Sequence, residues 1–234
     1  AALVIAKLLG ERKGFNKTLL PPHSPALTMT GAGLLWVGWF GFNGGSALAA
    51  GDDAATAILN THLAACSAAV IWALIERIRV GKSTSVGIVS GAVAGLATIT
   101  PAAGFIGPTG AILLGAIGSM ACFYAGQFVK QVFKLDDSLD VFAVHGVGGI
   151  LGSLLFPIFI LPALGGGGFE DAGGLAGQLL AQLIGVGVAV LWSGVVTLII
   201  GFGLSYLIPM RVDEEAEHDG LDLSSHGERG WELD

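Results

Sequence analysis

The chain carries the stretch Thr100-Pro101-Ala102-Ala103-Gly104-Phe105-Ile106-Gly107-Pro108 in the middle of its longest segment without an acidic or basic residue. That segment runs from Ser83 to Val129 and has 47 residues, more than twice the roughly 20 that one membrane helix needs. Proline and glycine interrupt helices, so the quoted stretch predicts a connection between two membrane-spanning helices. In the first of them, Gly87, Gly91 and Gly95 recur every four residues, and this spacing predicts close contact with another helix.

The rest of the chain repeats this pattern of long apolar segments. Hydrophobic residues make up 53% of its 234 residues and charged residues only 12%, whereas a soluble domain carries roughly 25% charged residues. Four further segments lack acidic and basic residues: Thr18 to Gly51, Ala54 to Ile75, Val141 to Phe169, and Ala172 to Met210. The sequence therefore predicts an all-α polytopic membrane protein with six full transmembrane helices, and residues 1–9 as the end of another, cut-off span. The last segment has 39 residues and no proline before Pro209, so we expect one long helix that tilts or protrudes.

The distribution of charge predicts an orientation in the membrane. When the six spans alternate in direction, all 11 lysines and arginines fall on one side. The other side receives only acidic residues: Asp52, Asp53, Glu170 and Asp171. The positive-inside rule places the basic side in the cytoplasm. We accordingly divide the chain into a membrane domain, residues 1–210, and an acidic cytoplasmic tail, residues 211–234, for which a solvated, disordered end is one interpretation. The net charge of −7 argues against a nucleic-acid partner.

One histidine inside a predicted span is a candidate functional residue. His145 lies five residues after Asp140, the last charged residue before its span. An ionisable group in the hydrocarbon region is costly, which makes function the first hypothesis. A structural hydrogen bond to a neighbouring helix is the alternative. His62 also lies within a span, but no nearby polar residues would form a functional site with it. We therefore favour a packing role for His62.

The segment Trp36 to Ser46 contains the densest group of aromatic residues, near the outer end of its span. It is consistent with an interfacial aromatic belt, or with a cation site, since aromatic faces attract cations and the Ser46 hydroxyl can accept a hydrogen bond. A nucleophilic Ser46 with His145 as its base is disfavoured. Their expected depths differ by about 10 Å, which exceeds hydrogen-bond reach. The sequence has no nucleotide-binding fingerprint and no zinc-ligand spacing, so neither an enzyme nor a cofactor or metal site is predicted.

Three segments together resemble the Amt/Mep ammonium transporter family: Gly38 to Ser46, Asp136 to Gly149, and Gly220 to Glu228. The resemblance covers essentially the whole chain. It implies an eleven-span fold, a homotrimer with one pore per subunit in the plasma (inner) membrane, and transport of ammonium, ammonia and methylammonium. It also implies a PII-type nitrogen regulatory protein as the cytoplasmic partner. This chain would then supply the last six spans and the end of the fifth. The first pore histidine, a second gating phenylalanine, an outer tryptophan and an acidic capture residue are expected in a preceding part.

By the same resemblance, four residues of this chain would lie along the pore. Phe42 would be one of two stacked rings that gate it, and Ser46 would bind ammonium at the outer vestibule. Trp39 would line the pore below them, and His145 would be the second of two hydrogen-bonded histidines that relay a proton. The tail would couple neighbouring subunits through a regulatory segment that includes Asp222, His226, Gly227 and Glu228. Two other interpretations stay open: an ammonium sensor that signals through its tail to a nitrogen regulator, and a membrane fragment without activity.

Overall fold

A computed structural model describes residues 1–18, 21–169 and 173–229. Glu170 and Asp171, two of the acidic residues predicted on the outer side, lie outside these ranges. Within them the chain is helical and has no β-strand. The helices are α1 (Ala2–Leu9), α2 (Pro25–Gly45), α3 (Asp52–Val80), α4 (Ser85–Ile99), α5 (Pro108–Gln131), α6 (Phe142–Phe159), α7 (Gly174–Ser205) and α8 (Glu214–Asp219).

The predicted break between two spans is confirmed. Helix α4 ends at Ile99 and α5 begins at Pro108, where proline occupies the first turn and its missing N–H costs no helical hydrogen bond. The connection is held from α3 by the buried Asn60, whose amide nitrogen donates to the carbonyls of Ala103 and Ile106 at 2.8 and 2.7 Å. A buried side chain therefore satisfies carbonyls that the helix break leaves without helical partners.

Each of the six predicted spans contains one helix. Four of these helices, α3, α5, α6 and α7, are long and apolar enough to cross a membrane. Helix α4 is shorter, with 15 residues, and α2 has sufficient length, with 21 residues, but is less apolar. The prediction of an all-α polytopic membrane protein is confirmed. The last span is a single helix, as expected, but α7 has 32 residues and ends at Ser205 rather than near Met210. Its length is still about 48 Å.

The connecting segments meet at two opposite ends of the bundle, as alternating spans require. At one end, Asn16 donates to the carbonyl of Lys130, and Arg211 donates to the carbonyl of Leu9. At the other end, the amide of Gly167 donates to the carbonyl of Phe105. The basic segments that follow α1, α5 and α7 therefore lie together.

Small residues allow the central helices to pack closely, which confirms the prediction from the glycine spacing in α4. A Cβ atom on Gly91 would meet Trp72, and one on Gly95 would meet the carbonyl of Ala64, both on α3. The buried apolar side chains form two clusters. The larger lies toward the α4–α5 connection and includes Ile99, Ile106, Leu114, Phe156 and Phe159. The smaller lies toward the basic end and comprises Trp72, Ala94, Cys122, Phe123 and Val144.

Candidate functional site

Three of the predicted pore residues lie in a row on α2. Trp39, Phe42 and Ser46 are spaced three and four residues apart, which places them on one face of the helix. The rings of Trp39 and Phe42 meet edge to face with centroids 5.8 Å apart. The hydroxyl of Ser46 donates to the carbonyl of Phe42 at 2.8 Å, at the end of α2. Phe42 is 61% exposed, so this row faces outward from the described part of the chain.

Helix α6 adds the fourth residue to the row. The imidazole of His145 stacks on the indole of Trp39, with ring centroids 6.3 Å apart and planes inclined by 17°. The structure therefore brings together all four residues that the family resemblance selected, in the order Ser46, Phe42, Trp39, His145. The hydroxyl proton of Ser46 is directed to a carbonyl, and no hydrogen bond joins Ser46 to His145 within the described ranges. The two residues therefore do not form a nucleophile–base pair.

Thr100 holds the indole of Trp39 in place and was not identified from the sequence. The indole Nε1–H donates to the Thr100 hydroxyl at 2.8 Å, and this hydroxyl donates to the carbonyl of Leu96 at 2.7 Å. The indole has one N–H donor, and Thr100 accepts it. A threonine at the predicted end of a helix gives no signal of such a contact.

A buried carboxylate caps the first turn of the helix that carries His145. Asp137 accepts backbone N–H groups from Val141 and Phe142 at 3.0 and 2.9 Å, so it caps the free amides of the first turn. Residues 142–147 then form a π-helical turn, not the regular α-helix predicted for the span. Such turns change the direction of the following side chains and occur frequently at functional sites. The thiol of Cys122 donates to the Val144 carbonyl within this turn at 3.7 Å.

The two other acids before α6 form ion pairs. Asp136 is buried, and its carboxylate accepts hydrogen bonds from Nε and a terminal nitrogen of the Arg12 side chain, both at 2.8 Å. It also accepts a hydrogen bond from the Arg12 backbone amide at 2.9 Å. Burial alone would raise the pKa of Asp136, but these hydrogen bonds and the positive charge of Arg12 hold the pKa below its usual value. Asp140 binds Lys130 at 2.8 Å. The acids therefore fix the start of α6.

His62 lies outside the row of predicted pore residues. Its ring is 5.4 Å from that of Trp36 and 5.9 Å from that of Phe40, and its Nε2 contacts the Cys66 sulfur at 3.6 Å. These contacts agree with a packing role between α2 and α3. In the described residues, no three His, Cys, Asp or Glu side chains converge as metal ligands.

The described part of the tail includes a short helix, α8, and is hydrogen-bonded to residues at and after the end of α1. Asp213 caps α8 through the amide of Ala216. The carboxylate of Glu217 accepts the guanidinium of Arg211 at 2.6 Å and the backbone amide of Lys13 at 3.1 Å. The hydrogen bond from Arg211, followed by that from Lys13, lowers the pKa of Glu217 below its usual value. Helix α8 is thereby tied to the segment that follows α1.

The four tail residues predicted to be regulatory follow α8. Asp222 and His226 are the first and last residues of a single π-helical turn. Gly227 follows it and adopts φ +67°, a left-handed conformation that favours glycine. The amide of Glu228 donates to the carbonyl of Asp222 at 3.0 Å. All four are exposed. They form a small folded surface, and residues 230–234 of the predicted tail lie outside the described ranges.

Comparison with known proteins identifies the family. The sequence profile described as Ammonium Transporter Family matches residues 1–231. The chain is 46% identical to ammonium transporter Amt1 of Archaeoglobus fulgidus, covering 97% of this chain and 58% of that protein. It is also 46% identical to the ammonium transporter of Aquifex aeolicus, covering 100% of this chain and 54% of that protein. The chain therefore spans somewhat more than half the length of these relatives.

Two solved structures have the same fold. A protein described as a sensor Amt protein superposes with a TM-score of 0.86 at 30% identity, over 95% of this chain and 56% of its own. Mep2 of Saccharomyces cerevisiae superposes with a TM-score of 0.79 at 36% identity, over 91% of this chain and 51% of its own. The chain belongs to the ammonium transporter family and is a multi-pass membrane protein.

Proposed function

We propose that this chain forms the C-terminal part of a pathway that carries ammonium or ammonia, and methylammonium, across the membrane. The observation that carries the proposal is the stack of Trp39 on His145, at the end of a row that begins with Ser46 and Phe42. Along this row, a cation first meets a hydroxyl oxygen and the faces of aromatic rings. It then enters an apolar passage, at the end of which the imidazole offers a nitrogen. The relatives that match this chain are ammonium transporters, which supports the substrate.

The physical problem for such a pathway is to separate ammonium from potassium. The two ions have similar size and equal charge, and either charge is costly to move through hydrocarbon. Ammonium alone can release a proton and cross as neutral ammonia. A narrow apolar passage therefore excludes potassium, which has no neutral form.

Each residue of the row has a role in this scheme. Ser46 and the neighbouring aromatic faces recruit the cation, because a hydroxyl oxygen and π-electrons both favour positive charge. Phe42 restricts the entrance of water. Trp39 forms one wall of the passage, held by its hydrogen bond to Thr100. His145 offers a nitrogen to ammonia in transit and, with a partner, relays the proton.

The assembly and orientation belong to the same proposal. We infer a homotrimer in the plasma (inner) membrane, with the basic connecting segments and the C-terminus in the cytoplasm. The excess of lysine and arginine at one end of the bundle supports this orientation. The folded tail at that end offers a surface for a PII-type nitrogen regulatory protein.

Uptake of labelled methylammonium into liposomes tests the proposal. We compare the 234-residue chain with a form extended at its N-terminus to the eleven spans that the family resemblance implies. In the conducting form, His145→Ala should reduce uptake or admit potassium, while His62→Ala, which changes a histidine outside the row, should leave both unchanged. Uptake and ammonium selectivity that survive His145→Ala would contradict the pore roles. If neither form conducts although both insert, the transport proposal fails.

A second candidate function is ammonium sensing, and a specific observation favours it. Two hydrogen bonds join the tail to the end of α1 and the segment after it: Glu217 accepts the Lys13 amide, and Arg211 donates to the carbonyl of Leu9. A change in the membrane domain therefore has a direct route to the tail. The similarity to a protein described as a sensor Amt protein supports this candidate. Removal of residues 213–234 separates the two functions. A transporter keeps its flux, whereas a sensor loses partner binding or regulation.

A further inference from the structure

A cleft of about 250 Å³ lies between the C-terminal halves of α3 and α5, at the basic end of the bundle. Its walls are two helix faces, with Trp72 and Glu76 on α3 and Phe123 and Gln127 on α5, each pair spaced four residues apart. The last turn of α5, the segment before α6 and the segment after α1 complete it. None of its described lining residues belongs to the row of predicted pore residues. We call it the α3–α5 cleft.

The charged side chains of the α3–α5 cleft already have partners within the protein. Lys130 binds Asp140 at 2.8 Å. Glu76 accepts the backbone amide of Thr84 at 2.7 Å, and the Thr84 hydroxyl lies 3.2 Å from the same carboxylate. Thr84 caps α4, and the partial positive charge at this helix end offsets the charge of Glu76. The described lining therefore presents no excess of unpaired charge to a ligand.

Trp72 supplies a donor at the back of the cleft. The residue is only 8% exposed, and its indole N–H has no hydrogen-bond partner among the described residues. This N–H is not one of the fully enclosed polar atoms, so it is open to the cleft that the residue lines. Its ring meets that of Phe123 edge to face, with centroids 5.2 Å apart. The back wall is therefore apolar around one N–H group, which can only donate.

Amide side chains supply further donors and acceptors nearer the surface. Gln127 is half-buried and Gln131 is exposed, and neither side chain makes a hydrogen bond within the described residues. Asn16 donates its amide nitrogen to the carbonyl of Lys130 at 2.8 Å, which leaves its amide oxygen as an acceptor. Lys130 gives one ammonium proton to Asp140 and keeps two for other acceptors.

This arrangement disfavours a charged ligand of either sign. A cation such as an alkylammonium carries only donors, which would face the N–H of Trp72 and the ammonium group of Lys130. An anion carries only acceptors, which would face the carboxylates of Glu76 and Asp140. A hydroxyl group donates and accepts through a single oxygen, so a ligand with several hydroxyls can satisfy both kinds of neighbour.

We propose that the α3–α5 cleft binds a neutral polyhydroxylated ligand, a monosaccharide or a polyol of similar size, through Trp72 and Gln127. The C–H face of the ligand packs on the aromatic back wall, and its hydroxyls exchange hydrogen bonds with the indole and the amides. The volume lies below the range of about 300–1,000 Å³ found for pockets of drug-sized ligands, which suits a single sugar ring. This proposal does not rest on ammonium transport.

The same hydroxyl chemistry has two sources, a free sugar and the sugar headgroup of a membrane glycolipid. Saturation-transfer difference NMR on the purified 234-residue chain, in a detergent without a sugar headgroup, measures binding of D-glucose and myo-inositol. Methylammonium and acetate serve as the charged probes. We expect saturable binding of at least one neutral probe.

Matched substitutions place that binding in the α3–α5 cleft. Trp72→Phe removes the indole N–H but keeps an aromatic ring, and should weaken binding about five-fold, the effect of one neutral hydrogen bond. Gln127→Leu should act in the same direction, and it carries the test if Trp72→Phe fails to fold. Trp192→Phe and Gln182→Leu make the same chemical changes on α7, away from the cleft, and should leave binding unchanged.

Bilayers distinguish the two sources. We compare glucose binding to the chain in nanodiscs of phosphatidylcholine with and without monoglucosyl diacylglycerol. Weaker binding with the glycolipid present supports its headgroup as the occupant, and unchanged binding supports a free sugar.

Three results would overturn the proposal. One is the absence of saturable binding of both neutral probes. Another is an equal loss of binding in the cleft variants and the α7 variants. The third is binding of methylammonium or acetate that Trp72→Phe weakens, without binding of a neutral probe.

Discussion

The indole of Trp39 lies against the imidazole of His145, with ring centroids 6.3 Å apart and planes only 17° from parallel. The two residues come from different helices, α2 and α6. The position of the indole in this stack is set by a third residue, because its N–H donates to the Thr100 hydroxyl at 2.8 Å. The geometry beside His145 therefore depends on a hydrogen bond that does not involve the histidine.

Replacement of Thr100 by valine tests this dependence. Thr100→Val keeps the shape of the side chain but removes the acceptor, so the half-buried indole N–H of Trp39 loses its partner. We expect the free energy of unfolding in mixed micelles to fall by about 1–2 kcal/mol. The ultraviolet resonance Raman band that reports indole hydrogen bonding should shift in the same variant.

Thr98→Val is the matched control. Thr98 donates to the carbonyl of Ala94 within the same helix, as Thr100 does to Leu96, but no indole contacts its hydroxyl. It should leave the Raman band unchanged. An identical spectral change in both variants would mean that the Thr100–Trp39 hydrogen bond does not hold the ring.

The sequence predicts those features of the fold that depend on local chemistry. Proline and glycine between Thr100 and Pro108 interrupt a helix in any protein. The charged residues between apolar segments indicate where one span ends and the next begins. The contact of Trp39 with Thr100 joins residues 61 apart, and that of Arg12 with Asp136 joins residues 124 apart. No local pattern encodes such pairs, so they are seen only after the helices are packed.

The site likewise has some features that the sequence indicates and others that are seen only after the helices are packed. Family resemblance selected Trp39 and His145, and the structure places their rings together. The π-helical turn that carries His145 was not predicted, because it accompanies a contact from Cys122 on α5 to the Val144 carbonyl. The cap from Asp137 had a visible signal, since an aspartate shortly before an apolar segment is typical of a helix start.

The ion pair of Arg12 with Asp136 predicts a dependence of stability on pH. Because the pKa of Asp136 is lower in the folded chain than in the unfolded chain, the folded state favours the ionised carboxylate. Its contribution is fully present above the pKa of an unfolded aspartate, about 4, and is lost as the pH falls through the lower folded value. Asp136→Asn should therefore destabilise the chain by about 1–3 kcal/mol at pH 7, and the difference should shrink in acid.

Unfolding of the native chain and Asp136→Asn in mixed micelles, measured from pH 7 down to pH 3, checks this prediction. Lys13→Ala serves as the control, since the exposed side chain of Lys13 makes only a 3.8 Å pair with Glu214 and such pairs contribute less than about 1 kcal/mol. A stability difference for Asp136→Asn that stays constant over the whole pH range would contradict the role of its charge.

The link between tail and membrane domain predicts a change in protease sensitivity. Glu217→Gln weakens the hydrogen bond that the tail accepts from the Lys13 amide. It also removes the charge that holds Arg211, whose guanidinium donates to the carbonyl of Leu9. The tail should then separate from the membrane domain more often, and limited proteolysis should cut it several-fold faster. Glu215→Gln removes an equal charge from the same short helix, at an exposed position without a hydrogen bond in the described residues. Equal cleavage rates in the two variants would show that Glu217 does not anchor the tail.

Because α3 and α4 are in close contact, we expect a methyl group added to a glycine of α4 to destabilise the chain. Gly95 lies so close to α3 that an added Cβ would meet the carbonyl of Ala64 and the side chain of Ala68. Because that carbonyl belongs to a helix backbone and cannot move aside, Gly95→Ala should lower the free energy of unfolding by about 1–3 kcal/mol. Gly185→Ala makes the same chemical change in α7, where no atom lies within 4 Å of the added carbon, and should have little effect. Denaturation of both variants in mixed micelles measures the difference. If Gly95→Ala is no less stable than Gly185→Ala, the close approach of α3 and α4 does not depend on the glycine.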